Sequence, residues 1–303
     1  MAGYLAELIE DCLDKNIGPS SIDQAYSAIK FYFETAGYHP CPFNHPYCRR
    51  ILLSAKQQLV PRAIKRIPFT NHILYQLLSF HLTSSAPPLN ILMHLVCALL
   101  GFVGFLRFDD IAHILVQDDF IKIIEDANGR VLGALIYIYK SKTDQSYRGN
   151  YIGIGATGKQ FCPVKLLFQL IDQGKYIRSH PSHDCGPLLR ATRVLQRSCH
   201  APSSLQLAQV TSPSVIPALT RSSFSKHINR LCWEAGVPDA DYFKAHSLRS
   251  GGSTTATIHG FSHSIVCKHG RWKYNNTMED HYLKIHFLAI EKIFAMTRSI
   301  WPY

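Results

Sequence analysis

The feature that most constrains the fold is a run of eighteen residues without a charge, LNILMHLVCALLGFVGFL, from Leu89 to Leu106. Such a run approaches the length of a membrane span. Asn90, His94 and two glycines interrupt it, however, and Arg107 follows it directly. We therefore predict a helix buried in the core of a globular domain, and no membrane partner.

The composition is typical of a globular chain with an anionic partner. Apolar residues make up 47% of the 303 residues, and 32 Lys and Arg against 21 Asp and Glu give a net charge of +11. This excess favours nucleic acid over an anionic membrane surface. The nine cysteines are scattered without a CxxC pair, which indicates reduced thiols in an intracellular protein. Cys41, His45 and Cys48 lack the second ligand pair of a zinc finger, so no metal is predicted.

Hydrophobic periodicity predicts a mostly α-helical chain with a small antiparallel sheet, an α+β fold class. Between Asp118 and Gly155, the segments DFIKIIED, RVLGALIYIYK and NYIGIG read as three strands, with a turn at Asn128 and Gly129. Helices are predicted for SSIDQAYSAIKFYFETAG, for FTNHILYQLLSFHL with a Thr70 or Asn71 cap, and for most segments after residue 217. The aromatic residues of FYFETAGY are interpreted as core packing, because their spacing is helical.

A basic segment separates two predicted domains. RRILLSAKQQLVPRAIKRIPF contains six cations and no acidic residue, and it runs into a linker from Pro61 to Pro68. We predict a short helical DNA-binding domain at residues 1–68 and a larger domain at residues 69–303. The cations predicted to bind DNA are Arg49, Arg50, Lys56, Arg62, Lys65 and Arg66.

The segment KAHSLRSGGSTTATIHG, residues 244–260, places His246 and Arg249 three positions apart. On a helix they share a face and can reach one pocket. The Ser-Gly-Gly that follows permits close helix packing or a close backbone approach to DNA. HxxR alone is compatible with ordinary polar contacts. It gains weight from Arg107, which ends the apolar run with Asp110 three residues later to hold it.

These side chains, with Lys142 in KSKTDQ and Tyr282 in MEDHYLK, suit the attack on a phosphodiester without metal. Arginines neutralise the charge of a pentacoordinate phosphorane. Tyrosine supplies a nucleophile, and a lysine or histidine protonates the leaving 5′ oxygen. No phosphate-binding GxxxxGK loop, paired-carboxylate site or HExxH motif is present, so neither a cofactor, ATP nor a metal is predicted.

In order and approximate spacing, these residues resemble the tyrosine recombinases, also called phage-type integrases. The motifs LRFDDIAHI, KSKTDQ, FCPV, AHSLRSGGST and HGRWK are most similar to recombinases of eukaryotic mobile elements of the Crypton and DIRS kind. The resemblance covers about Phe69 to Phe287, and the first 68 residues resemble a shortened helical core-binding domain. The matching residues are Arg107, Lys142, His246, Arg249, Gly270, Trp272 and Tyr282.

The resemblance implies a site-specific recombinase or integrase that cuts and rejoins double-stranded DNA through a covalent 3′-phosphotyrosyl intermediate. A homotetramer on paired DNA sites and a nuclear location are expected with it. It assigns Arg107 and Arg249 as a phosphate clamp, with Asp110 supporting Arg107. It also assigns Lys142 as the general acid and His246 as an acid or base next to the nucleophile.

The same resemblance makes Tyr282 the nucleophile and Trp272 a residue that packs against the phosphate or the tyrosine helix. Trp272 and Tyr282 are ten positions apart, whereas the family usually has nine. Arg271 or His269 can therefore fill the position assigned to Trp272.

The lysine, the nucleophile and the activity each have a second candidate. Lys140 competes with Lys142, because both flank the same turn, and Tyr274 is a rival of Tyr282. In place of a recombinase, the chain can be a catalytically inactive DNA-binding descendant of one, or a type IB topoisomerase-like enzyme that relaxes DNA.

Overall fold

The computed structural model describes residues 2–15, 17–59, 67–84, 86–141, 148–179, 185–195, 204–207, 219–272 and 287–303. The chain divides into two compact units, Met1–Lys65 and Arg66–Tyr303. The DNA-binding role assigned to residues 1–68 stays a prediction.

Three helices form the first unit: α1 (Ala2–Asp14), α2 (Ser20–Thr35) and α3 (Pro46–Gln58). Their apolar faces meet in a small core that includes Ile9, Ile22 and Ala55. A second cluster surrounds Phe43, whose carbonyl oxygen accepts a 2.5 Å hydrogen bond from the Tyr26 hydroxyl. Helix α2 follows its predicted bounds.

One sequence interpretation is wrong in this unit. Phe31 and Tyr32 are 70% and 68% exposed, although the periodicity of α2 predicted core packing. Successive helical residues point about 100° apart. The rings of Phe33 and Phe43 pack with their centres 6.0 Å apart, so the side chains of Phe31 and Tyr32 point in other directions. The basic segment has a counter-charge, because Lys56 forms a 2.9 Å ion pair with Asp23 of the neighbouring helix.

The second unit is built around α5 (Leu89–Val103), the uncharged run predicted to be a core helix. Every residue of α5 except Asn90 and Ile91 is buried. No helix in the described part of the chain is long and apolar enough to cross a membrane. The other helices are α4 (Asn71–His81), α6 (Phe108–Ala112), α7 (Pro163–Gln173), α8 (Arg221–Glu234), α9 (Ala245–Ile258), α10 (His263–Gly270) and α11 (Phe287–Ile300).

Helix α4 begins as the sequence predicts. The Thr70 side chain accepts a 3.2 Å hydrogen bond from the backbone N–H of Ile73, which satisfies one of the free donors of the first turn.

The predicted sheet of three antiparallel strands is confirmed: β1 (Ile121–Glu125), β2 (Val131–Ile138) and β3 (Asn150–Gly155) pair in that order. Helix α11 packs on this sheet through Phe294. A Cβ atom at Gly133 would lie 2.7 Å from the Phe294 ring, and one at Gly153 would lie 3.0 Å from it. Because Gly133 and Gly153 have no side chains, the sheet has a groove into which α11 packs.

A second sheet has two strands. Its strands, β4 (Thr192–Leu195) and β5 (Ser204–Leu207), pair in antiparallel register.

Candidate functional site

Helix α9 lies against the core without intervening side chains. A Cβ atom at Gly251 would be 1.9 Å from the carbonyl oxygen of Phe69, and one at Gly252 would be 2.0 Å from that of Phe102. Real Cβ atoms do not approach so closely, so both positions require glycine. This confirms that the Ser-Gly-Gly segment permits close packing, and it brings Arg249 into the interior.

Arg249 is fully buried among main-chain acceptors. Its guanidinium donates to the carbonyl oxygen of Phe105 and, at 2.5 Å, to that of Gly270. The indole of Trp272 covers it, with the guanidinium carbon 4.3 Å from the ring centre. Burial, followed by the charges of Arg107 and Arg271, lowers the pKa of Arg249 to about 9. The side chain therefore remains a cation at neutral pH.

Arg107 directly precedes α6, at the end of the apolar segment that contains α5. Its backbone N–H donates a 2.9 Å hydrogen bond to Oδ2 of Asp110, so the predicted support acts on the main chain at the start of α6. Its Nη1 atom is buried and has no hydrogen-bond partner among the described residues.

Asp110 forms its ion pair with a different arginine. Oδ2 of this fully buried carboxylate lies 2.6 Å from Nη2 of Arg271. Burial lowers the pKa of Arg271, and the carboxylate of Asp110 opposes that shift. The sequence presented Arg271 only as an alternative to Trp272, and Asp110 only as a partner of Arg107. The pairing joins positions 161 residues apart.

Arg107, Asp110, Arg249 and Arg271 form one electrostatic unit, which we call the arginine cluster. The charges of Arg107, Arg271 and Asp110 act on the pKa of Arg249, and those of Asp110 and Arg107 act on the pKa of Arg271. Three guanidinium groups against one carboxylate leave a net charge of +2 in a largely buried place. A site of this kind favours an anion with several acceptor oxygens.

His269 anchors α10 to α5. Its Nε2 atom lies 2.8 Å from the carbonyl oxygen of Val103, and its ring meets that of Phe105 edge-on at 4.7 Å. Burial lowers the pKa of His269 to about 4, so the ring is neutral at pH 7. Its Nδ1 atom is buried without a partner in the described part of the chain.

The sequence offered Trp272, Arg271 and His269 for the same position of the site, but in the structure the three side chains make different contacts. His269 holds the main chain of α5, Arg271 pairs with Asp110, and Trp272 covers Arg249. Gly270 makes this possible, since a Cβ atom there would lie 2.1 Å from the Trp272 ring.

Two other predicted residues are exposed, and the rest lie outside the described part of the chain. His246 lies in the first turn of α9 and is exposed, whereas Arg249 one turn later is buried. Lys140 is exposed just after β2. Lys142, Tyr274 and Tyr282 lie outside the described residues.

The predicted DNA-binding cations are described only in part. Arg49, Arg50 and Lys56 lie exposed on α3. Arg62, Lys65 and Arg66 lie outside the described residues.

Among the described residues, no group of three or more His, Cys, Asp or Glu side chains could hold a metal ion. The eight cysteines in that part of the chain are buried.

No family model matches the sequence, and no curated protein is similar to it. Solved structures do match. The Tn1549 transposon integrase in complex with transposon right end DNA is 13% identical, with 96% of this chain and 84% of that chain covered and a TM-score of 0.55.

Two other similar structures are larger. A Flpe mutant in a DNA Holliday junction complex is 12% identical, with 85% of this chain covered and a TM-score of 0.48. XerH bound to a difH substrate is 14% identical, with 76% of this chain covered and a TM-score of 0.44. This chain spans 59% of the Flpe chain and 51% of the XerH chain.

The transposon integrase, with a TM-score above 0.5, shares the fold of this chain. The mostly helical chain with its small antiparallel sheet has the catalytic fold of the tyrosine recombinases, which confirms the predicted fold class.

Proposed function

We propose that the protein is a DNA strand transferase of the tyrosine-recombinase kind, which cuts and rejoins DNA through a 3′-phosphotyrosyl intermediate without metal or ATP. The observation that carries the proposal is the arginine cluster, a buried site with net charge +2 on this fold. The Tn1549 integrase, which has the same fold, was solved in complex with DNA.

The charge of the arginine cluster suits the proposed reaction. A phosphodiester carries one negative charge, and the pentacoordinate phosphorane formed from it by an ionised nucleophile carries two. Two net positive charges therefore match the transition state better than the ground state. Groups that are already fixed by the fold stabilise such developing charge most effectively.

In the proposed cleavage step, the oxygen of Tyr282 attacks phosphorus and the bond from phosphorus to the 5′ oxygen breaks. The tyrosine proton leaves to a base, for which His246 is the candidate. Lys142, or Lys140 in its place, gives a proton to the departing 5′ oxygen. A 5′ hydroxyl of a partner strand later attacks the phosphotyrosyl bond and restores both the diester and the tyrosine.

Arg249 and Trp272 have complementary parts in this proposal. Two N–H groups of the Arg249 guanidinium bind main-chain oxygens, and an arginine has five, so others remain for a phosphate oxygen. The indole of Trp272 over one face of the guanidinium limits its contact with water, which strengthens its attraction for an anion.

For the first unit we propose that α3 faces the DNA. Residues 1–65 carry seven Lys or Arg and six Asp or Glu, a net charge of +1, whereas residues 66–303 carry 25 and 15, a net charge of +10. The small net charge of the first unit hides an uneven distribution. Arg49 and Arg50 are exposed on α3, while α1 exposes Glu7, Glu10, Asp11 and Asp14. Phosphates are attracted to the first surface and repelled by the second.

The sequence motifs alone support the finer parts of the proposal. These are a homotetramer on paired DNA sites, a relationship to Crypton- and DIRS-like mobile elements, and a nuclear location.

A covalent trap tests the reaction. The protein is mixed with a library of nicked duplexes of random sequence, and adducts that survive SDS are isolated and their DNA sequenced. We expect the wild type to enrich a defined sequence and the variant Tyr282→Phe to give no adduct. Tyr274→Phe is the matched control and should retain adduct formation.

The outcomes separate the candidate functions. DNA binding without any adduct would indicate a catalytically inactive binder. An adduct from Tyr282→Phe but none from Tyr274→Phe would move the nucleophile to Tyr274. Relaxation of supercoiled plasmid without exchange between duplexes would indicate topoisomerase activity.

A further inference from the structure

We infer that Arg271 is a third arginine that binds the phosphate oxygens directly, and that Asp110 orients Arg271 for this contact. The inference deepens the proposed function, on which it rests, because the same phosphate would occupy the arginine cluster. It adds a phosphate ligand from the end of α10 to the pair Arg107 and Arg249.

The backbone of Arg271 is the first observation. The residue ends α10 in the left-handed region, with φ of 53°. Helices often end in this conformation, usually at glycine, and a residue with a side chain adopts it at some energetic cost. The conformation turns the chain so that the Arg271 side chain reaches Asp110 while the next residue, Trp272, covers Arg249.

The unused donors of the cluster are the second observation. Nη2 of Arg271 binds Asp110, but its Nε and Nη1 atoms are buried and have no partner among the described residues, and the same holds for Nη1 of Arg107. Buried donors are paired in the great majority of cases. Unpaired cationic donors from two arginines of one cluster therefore indicate an acceptor with several oxygens, as in a tetrahedral oxyanion.

The competing explanation is that Arg271 only neutralises Asp110. The two explanations differ when both residues are replaced by neutral side chains of similar size. The double variant Asp110→Asn/Arg271→Met keeps the net charge of +2 through Arg107 and Arg249. A mere counter-ion would leave the affinity for an oxyanion unchanged, whereas the loss of a direct ligand would weaken it.

The probe is inorganic sulfate, titrated calorimetrically at pH 7.5 with ionic strength held constant by chloride. We expect saturable binding by the wild type and a dissociation constant about tenfold to a hundredfold higher in the double variant, as for the loss of a charge-assisted contact. The matched control is Asp109→Asn/Arg221→Met, which removes the exposed ion pair next to the cluster. Its dissociation constant should equal that of the wild type.

A second variant covers the case in which the double variant does not fold. Arg271→Lys keeps the charge opposite Asp110 but loses the planar set of donors, so we expect sulfate binding about fivefold to tenfold weaker than in the wild type. Circular dichroism establishes that each variant tested is folded.

Two results would overturn the inference: wild-type protein without saturable sulfate binding, or folded Asp110→Asn/Arg271→Met and Arg271→Lys variants that bind sulfate as tightly as the wild type. Neither result depends on Tyr282. The variant Tyr282→Phe should bind sulfate normally and yet form no DNA adduct, so the failure of this inference and the failure of the proposed function are distinguishable.

Discussion

Two neighbouring aspartates of α6 form ion pairs of the same chemistry in opposite surroundings. Asp109 binds Arg221 of α8 through both carboxylate oxygens at 2.8 Å, with side chains 49% and 64% exposed. Asp110 binds Arg271 at 2.6 Å, with side chains 0% and 9% exposed. Because successive helical residues point about 100° apart, one carboxylate faces solvent and the other faces the core.

The difference shows that burial, more than distance, decides what an ion pair does. An exposed pair is screened by water and salt and contributes little to stability. A buried carboxylate has lost its hydration, and it must be balanced by cations in fixed positions. The Asp110 pair therefore belongs to a site with a net charge, whereas the Asp109 pair links two surface elements.

The largest expected effect comes from the same substitution at the two adjacent positions. Asp110→Asn removes the buried carboxylate that pairs with Arg271 and weakens the acceptor for the Arg107 backbone. We expect it to lower the free energy of unfolding by about 3–5 kcal/mol, and Asp109→Asn to lower it by less than about 1 kcal/mol. Urea unfolding followed by circular dichroism measures both. Equal losses at the two positions would refute the distinction.

Acid should destabilise the protein through its buried histidines and not through its exposed ones. The pKa of His269 is lowered to about 4 by burial and further by the cations Arg271 and Arg249, while the unfolded state has the ordinary value of about 6.5. Between these values the unfolded state binds the proton first, so stability is complete above about pH 6.5 and falls as the pH falls towards 4.

Lowering the pH from 7.5 to 5.0 should reduce the free energy of unfolding by about 2 kcal/mol through this histidine. His94, whose pKa burial also lowers to about 4, should cost a similar amount. Urea unfolding at both pH values should show that His269→Leu removes one such contribution. The exposed His72→Gln serves as the control and should keep the full pH dependence; an equal reduction in this control would contradict the assignment.

The smallest effect concerns salt. A double-mutant cycle on Asp109 and Arg221 should give a coupling energy of less than about 1 kcal/mol at low ionic strength. Most of it should disappear in 1 M NaCl, where the Debye length is about 3 Å. The corresponding cycle on Asp110 and Arg271 should give a larger coupling that salt changes little. A salt-sensitive coupling at the buried pair would mean that water reaches it.

Local patterns predicted the parts of the fold whose cause is local. The uncharged run became α5, Thr70 capped α4, and the β-rich segments formed the three-stranded sheet. The Ser-Gly-Gly after Arg249 also predicted close packing, since only glycine allows the observed backbone approach.

Contacts between distant segments could not be predicted in this way. Periodicity identified the helical spacing of Phe31 and Tyr32 but not the small size of the core beside them. The partner of Asp110 lies 161 residues along the chain, and the nearer Arg107 was the natural choice. The sequence did hold one signal, because a carboxylate in the apolar context LRFDDIAHI requires a buried cation.

The contact of α9 with Phe69 and Phe102 limits how this protein can be re-engineered. Since backbone meets backbone at Gly251 and Gly252, no side-chain library at these positions can adjust the depth of Arg249, and compensating changes elsewhere cannot make room for a methyl group. Directed evolution of this protein should therefore hold both glycines constant. The exposed positions of α3, with Arg49 and Arg50, are where variation is free of this restriction.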